Sequence, residues 1–249
     1  MVDELSKYEF DFILREVLNK SYSDYLIYGL DKIEEEKIKP YLELAKIKPV
    51  EYIFNKAYFR DIVLYVDERV LIPRNETEQL VDIAIEIIKK KNYKNILEIG
   101  IGSGAISISL ALEINNIKIF ANDISFKALE VAKINIKNYK LDNRIFLFCS
   151  DTLKAIKSKF DMIIWNIPYV FKEEYEYLSE KVKCEPAIAL LYNDELFENF
   201  LKNFKFFLSK DGCCLLEISP KLSNKLKKFN FEIIKDIYDV ERFSLFFNS

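Results

Sequence analysis

An α/β fold, with a mostly parallel sheet covered by helices on both faces and a small helical lobe in front of it, is the architecture this sequence predicts. Three observations point there. Beyond Asn92, short apolar runs alternate with amphipathic stretches: "NILEI", helix, "IKIFAN", helix, "RIFLFCS", then "FDMIIW". That alternation is the pattern of strand–helix–strand units with parallel strands. Half of the 249 residues are hydrophobic, which allows a substantial core. Three of the five glycines, Gly100, Gly102 and Gly104, fall in one pentapeptide right after the first apolar run. A chain so poor in glycine concentrates it where the backbone must turn tightly or approach a ligand closely.

Taken in order, residues 8–19, "YEFDFILREVLN", place Phe10, Ile13, Leu14, Val17 and Leu18 at helical spacing. Helix-forming Glu, Lys and Leu continue beyond them, punctuated by Pro40 and Pro49, so an N-terminal helical domain is expected over residues 1–56. "AYFRDIVLYVDERVLIP" is rich in β-branched and aromatic residues, with the polar pair Asp67 and Glu68 in its middle. It reads as a hairpin linker, residues 57–73, leading to a main domain at 74–249. From Glu76 a helical stripe returns with Leu80, Ile83, Ala84, Ile87 and Ile88. At the end, "CCLLEIS", "FEIIKDIY" and "RFSLFFN" crowd three strand candidates together, the last two suited to an antiparallel edge.

Composition excludes several kinds of chemistry. There is no histidine, which removes Ser-His and Cys-His nucleophilic mechanisms and the commonest zinc ligand. Cys149, Cys184, Cys213 and Cys214 lack metal-type spacing, and adjacent Cys213 and Cys214 should point to opposite faces of a strand. Reduced structural thiols and no metal are therefore expected. With 37 basic and 40 acidic residues the net charge is −3, which gives no push toward nucleic acid. Apolar stretches stop short of membrane-spanning length, and "MVDELSKYEF" lacks a basic region followed by a hydrophobic one. A cytoplasmic monomer without membrane or direct nucleic-acid contact is the expectation.

The glycines lie in "ILEIGIGSGAIS", a strand, a loop and a helix start that lets backbone amides face a ligand. Glu98 precedes the loop, and Asp123 ends the next strand in "FANDIS", where a carboxylate can accept hydrogen bonds from both ribose hydroxyls. The spacing suits any adenosine-type cofactor, and the loop alone does not decide between NAD and S-adenosylmethionine. The plainer alternative is a tight turn with Glu98 and Asp123 as surface charges.

A second motif, "WNIPY", follows the "FDMIIW" strand. In an open parallel sheet ligands bind beyond the carboxyl ends of the strands, so Asn166 should sit at that edge. Pro168 keeps Ile167 extended, letting the Ile167 carbonyl aim where the Asn166 side chain aims. Tyr169 adds a flat face for stacking. Two acceptors and a ring suit a planar NH2 group, a carboxamide or the exocyclic amine of a base. Held by its hydrogens, such a nitrogen can present its lone pair to a methyl sulfonium, and positioning supplies much of the catalysis. A polar turn after a buried strand is the alternative.

"PVEYIF", "VLIPRNETEQLV", "ILEIGIGSGAI", "NDISFKALEVAKIN", "FDMIIWNIPY", "CEPAIAL" and "LEIS" together resemble, in order, the bacterial peptide chain release factor glutamine methyltransferases, from about Pro49 to Arg242. The resemblance implies a class I S-adenosylmethionine-dependent methyltransferase. Its Rossmann-like sheet would have seven mostly parallel strands, with an N-terminal helical domain and hairpin linker. It implies methylation of the glutamine amide in the Gly-Gly-Gln motif of release factors 1 and 2. For the cofactor it points to Glu98, to Gly100, Ile101, Gly102, Ser103 and Gly104 around methionine and ribose, to Asp123 at the ribose, and to Asp151 and Thr152 beside the adenine. Asn166, Ile167, Pro168 and Tyr169 would bind the glutamine and carry catalysis, with Asn166 also touching the cofactor. "LIPRNETE", Leu71 to Glu78, most favours this family; Arg74 and Glu76 there either shape the pocket wall or cap a helix. The chain departs from the family in Ile167, usually proline, in "GIGSG" for "GTGSG", and in a short N-terminal lobe. Asn-Ile-Pro-Tyr also resembles the motif of ribosomal RNA adenine dimethyltransferases. The alternatives are therefore a ribosomal-protein glutamine methyltransferase or an RNA or DNA adenine amino-methyltransferase.

Overall fold

The computed structural model describes residues 5–248. Residues 1–4, part of the stretch read as lacking a leader, lie outside them. Helices α1 (Lys7–Leu18), α2 (Tyr22–Tyr28) and α3 (Lys32–Ala45) each begin with a capping box, formed by Ser6 with Glu9, Ser21 with Asp24, and Asp31 with Glu34. Each box satisfies amides that a helix start leaves orphaned. Together with α4 (Val50–Phe54), these helices enclose a small core of Phe10, Ile13, Leu14, Ile38, Leu42 and Val50. The sequence reading took Pro40 as punctuation, but α3 runs through it. Pro40 and Glu36 are both exposed, so the carbonyl that loses its helical partner can turn to water. Pro49 does mark a boundary, as the N-cap of α4.

The hairpin is shorter than its sequence suggested, and it turns elsewhere. Strands β1 (Ala57–Phe59) and β2 (Ile62–Leu64) pair antiparallel around Arg60 and Asp61, not around Asp67 and Glu68. Arg60 takes φ +50°, its N–H donates to Glu78 Oε1 at 2.7 Å, and its guanidinium reaches Asp82 at 2.5 Å. Both acids sit on α5 (Asn75–Lys91), so the turn is chosen by a helix remote in sequence. Asp67 instead accepts from the Arg69 guanidinium and the Tyr65 hydroxyl.

The main sheet has seven strands: β3 (Asn95–Ile99), β4 (Lys118–Asp123), β5 (Ile145–Cys149), β6 (Phe160–Asn166), β7 (Leu208–Glu217), β8 (Glu232–Lys235) and β9 (Glu241–Phe247). Their order is β5-β4-β3-β6-β7-β9-β8. The first five of these positions are parallel, and β9 runs antiparallel between β7 and β8. Side chains alternate across the sheet. Ile96, Met162, Ile164 and Cys213 face α5, α6 (Ala105–Glu113) and α7 (Phe126–Asn138). Leu97, Ile163, Trp165 and Cys214 face the aromatic side. Adjacent Cys213 and Cys214 do point to opposite faces, both buried and free.

That aromatic side is built by α11 (Asp194–Asn203) and α12 (Ser223–Lys227), with Phe197, Phe200 and Phe204 in succession. Trp165 meets Phe200 edge to face at 5.0 Å between centroids, which fixes the strand end just before Asn166. Between β6 and α11 lie three single-turn helices, α8 (Lys172–Tyr175), α9 (Glu180–Lys183) and α10 (Ala187–Leu190). They run along one rim of the sheet's carboxyl edge and touch the N-terminal helices through Lys181 and Glu9. Among the described residues, no helix is long and apolar enough to cross a membrane.

Candidate active site

A cavity of about 780 Å³ opens at the carboxyl ends of β3, β4 and β6. Neighbouring strands leave β3 in opposite directions in the chain order here, which is where open α/β sheets bind ligands. Its volume lies in the range of small-molecule sites.

One end is the glycine loop. The Ile101 N–H donates to the Asn122 carbonyl at 2.8 Å and Gly104 closes a turn onto Ile101 at 2.9 Å. Gly102 has φ +54°, and a Cβ placed there would meet no atom within 4 Å, because it would stand in the cavity itself. At Gly104 the backbone takes φ +89°, which strains any L side chain, and a Cβ would in addition come within 3.1 Å of the Ile108 side-chain end. The Gly102 N–H donates to Asp123 Oδ2 at 3.1 Å, and Ser125 N–H donates to Oδ1 at 2.9 Å. Asp123 therefore clamps the loop while lining the cavity. Burial raises its pKa, and those backbone donors oppose the rise.

Glu98 is not a surface charge. It is 1 % exposed, its carboxyl is paired with the Ser107 hydroxyl, and burial pushes its pKa up to about 8. At neutral pH it holds a proton. Asp151 lines the cavity while pairing with Lys154 at 2.5 Å. Thr152 lines it too, at φ +45°, and its carbonyl accepts from the Asn122 side chain at 2.5 Å. Ile101 and Ser103 complete this end.

The other end is the loop after β6. Asn166 Nδ2 donates to Thr77 Oγ1 at 3.1 Å. The Oδ1 atom accepts from no described residue, leaving an acceptor on the cavity wall. Ile167 N–H donates to the Glu217 carbonyl at 3.2 Å and its side chain is buried, so the residue replacing the family's proline anchors the loop by packing. Pro168 follows through a trans peptide. Val170 exchanges backbone hydrogen bonds with Leu190 and Tyr192 at 2.9 and 2.8 Å. The loop is thus held from both sides. Tyr169 lines the cavity with its pKa pushed up to about 12, first by burial and then by the Glu217 carboxyl.

Arg74 resolves between its two expected roles. It occupies the N-cap position of α5 but makes no side-chain cap, and its guanidinium instead pairs with Glu185 at 2.5 Å on the cavity wall. Glu76, by contrast, does not line the cavity. Glu185, from "CEPAIAL", is 3 % exposed and also accepts from the Ile72 N–H at 3.0 Å. One carboxylate thus ties the "LIPR" segment to the short helices opposite. Replacing Glu185 with alanine leaves Arg74 and the Ile72 amide without their partner, with an expected loss of about 2–4 kcal/mol of stability; urea unfolding measures it.

Sequence reasoning missed Thr77, Asn135, Glu185 and Glu217. Asn135 is buried on α7 and bonds the Ser103 carbonyl at 2.8 Å and both backbone groups of Tyr65 at 2.7 and 2.9 Å. It joins the glycine loop to the segment after the hairpin. A polar residue on the apolar stripe of a helix was the available signal. Among the described residues no cluster suits a metal ion.

Residues 76–188 match the methyltransferase small domain family. The chain is 39 % identical over 240 residues to a release factor glutamine methyltransferase of Dictyoglomus turgidum, spanning 93 % of this chain and 83 % of that one. It is 35 % identical over 243 residues to the release factor glutamine methyltransferase of Borreliella burgdorferi, spanning 92 % and 84 %. Among solved structures, a ribosomal protein methylase of Lactobacillus delbrueckii superposes with a TM-score of 0.51 at 20 % identity, over 74 % of this chain and 84 % of that one. That likeness is one of fold, and the fold is that of a class I methyltransferase.

Proposed function

Because the chain belongs to the release factor glutamine methyltransferases, we propose that it methylates the Gly-Gly-Gln glutamine of release factors 1 and 2 in this cavity, as a cytoplasmic monomer. S-adenosylmethionine is the cofactor, bound at the glycine loop. The protein is an enzyme, and its product is an N-methylated glutamine side chain.

The observation that carries this reading is the pairing of Asn166 with Thr77. With Nδ2 engaged there at 3.1 Å, Oδ1 is left as an acceptor in the same cavity as the glycine loop. A cofactor fits the other end on three counts. Gly102 omits a Cβ that would stand in the cavity, Asp123 presents a clamped carboxylate, and Glu98 offers a buried carboxyl that can ionise beside a cation. Asp151 and Thr152 flank the adenine end. Bound there, S-adenosylmethionine supplies an electrophilic methyl group on a sulfonium.

What the chain itself contributes is alignment. Asn166 Oδ1 and the Ile167 carbonyl accept the two N–H hydrogens of the glutamine amide, Pro168 restrains the loop, and Tyr169 packs on the amide plane. So held, the nitrogen is turned with its lone pair toward the methyl. Once methylated, with neutral S-adenosylhomocysteine as the leaving group, the amide nitrogen would carry an extra, acidic proton, which would pass to water. No histidine base is needed.

Intact mass spectrometry of a purified release factor, incubated with this protein and S-adenosylmethionine, tests the reading. One added methyl on the Gly-Gly-Gln glutamine is expected, and none when that glutamine is replaced. Absence of any transfer, with the cofactor shown to bind, would overturn it and direct the search to ribosomal protein or RNA.

A further inference from the structure

Asn122 stands one residue before Asp123 on β4, its Cα opposite that of Phe148 in the parallel ladder with β5. Although polar, it is fully buried. Its Nδ2 donates to the Thr152 carbonyl at 2.5 Å, while its Oδ1 accepts from no described residue. An unpaired end on a buried carboxamide costs stability, so the working end is Nδ2. Turned over, the side chain would set Oδ1 against the Thr152 carbonyl, two acceptors with no hydrogen between them. The Asn122 main-chain carbonyl takes the Ile101 N–H at 2.8 Å. One residue thus ties the glycine loop to the loop after β5.

Thr152 is what the side-chain bond restrains. It has φ +45°, a region that L residues seldom enter and β-branched ones least of all. Such a conformation persists only where its surroundings over-determine it. The bonds of the turn itself are local: Lys154 N–H donates to the Asp151 carbonyl at 3.0 Å, and Ala155 N–H to Ser150 Oγ at 3.1 Å. Among the described residues, the hydrogen bond that reaches Thr152 from outside the turn is that of Asn122. With the chain turned in this way, the N–H groups of Asp151 and Thr152 donate to no described residue, and both residues line the cavity. Successive amides left open beside a residue of positive φ form a concave donor site.

We propose that Asn122 is a positioning residue for the cofactor: its carboxamide holds Thr152 in the positive-φ conformation that keeps the Asp151 and Thr152 amides open to the acceptor nitrogens of adenine. This rests on the reading above, in which S-adenosylmethionine lies in the cavity with its adenine at this loop. Released from Asn122, Thr152 relaxes to negative φ and the amides turn away. Affinity and preference for adenine then fall together. Glycine at the same position takes positive φ without a steric cost, so it does not need the tether.

Calorimetry on the wild type, Asn122→Ala, Thr152→Gly and the double variant tests this. The probes are S-adenosylhomocysteine and S-inosylhomocysteine, whose hypoxanthine bears a hydrogen on the ring nitrogen where adenine has an acceptor. The wild type is expected to prefer the adenine compound by about 10–100-fold. Asn122→Ala is expected to weaken its binding by about 10–30-fold and to erode that preference. In the Thr152→Gly background the same replacement should cost less than about threefold. Asn122→Ser, one atom too short to reach the Thr152 carbonyl, repeats the cycle should the alanine variant not fold. Wild-type affinity in the Asn122 variants would overturn the inference. An equal cost in both backgrounds would overturn it too, because general damage to the fold does not depend on the residue at 152. A wild type that binds both probes alike would instead remove the adenine placement beneath the inference, and the inference with it.

Discussion

Replacing Asn166 with alanine is expected to lower kcat by about 10²–10³-fold while S-adenosylmethionine affinity changes by less than about threefold. The reason is where Asn166 stands. It is the last residue of β6, with its amide nitrogen committed to Thr77, so in the proposed reading the atom lost from the cavity is chiefly the substrate's acceptor. The cofactor, in that reading, is held mainly by other elements: the Gly102 amide and the Asp123 carboxylate lie on the β3 and β4 side. An amide nitrogen is a poor nucleophile because its lone pair is delocalised, so turnover depends on how it is held. Loss of that hold should appear in kcat more than in KM, since the glutamine's surroundings still bind the release factor. Steady-state kinetics with a release factor, and calorimetry with the cofactor alone, separate the two. A large fall in cofactor affinity would reassign Asn166 to the cradle.

The succession of strands and helices along the chain and the two motifs at the carboxyl edge were legible because each is local. "ILEIGIGSGAIS" carries its own strand, turn and helix start, and "FDMIIWNIPY" ends its strand at the residue that matters. Cys213 and Cys214 could be placed on opposite faces from strand periodicity alone. What could not be read depends on pairs far apart in the chain. The hairpin turns at Arg60 because Glu78 and Asp82 receive its amide and guanidinium. Arg74 leaves its cap position because Glu185, more than a hundred residues on, offers a buried carboxylate. Thr77 reads as an ordinary first-turn residue until Asn166 is folded against it, 89 positions later. Helical periodicity likewise gave no warning that α3 would pass through Pro40, since what permits it is exposure on that face.

Replacing Asp123 with alanine is expected to weaken S-adenosylmethionine binding by about 10–100-fold, equivalent to the loss of one or two hydrogen bonds to a charged group. Two effects contribute, and they can be told apart. The carboxylate receives Gly102 N–H at 3.1 Å and Ser125 N–H at 2.9 Å, so its removal loosens the glycine loop in the free enzyme. In the proposed reading it also removes the acceptor for the ribose hydroxyls. Loosening penalises any adenosine ligand alike, whereas loss of the acceptor penalises only ligands that bear those hydroxyls. A double-mutant cycle with S-adenosylmethionine and its 2′-deoxy analogue isolates the second effect. In the wild type the deoxy analogue should bind more weakly. In Asp123→Ala the two ligands should bind nearly alike, because the hydroxyl has lost its partner. Equal discrimination by both proteins would leave Asp123 as a brace for the loop, and the ribose contact would have to be sought elsewhere on the cavity wall.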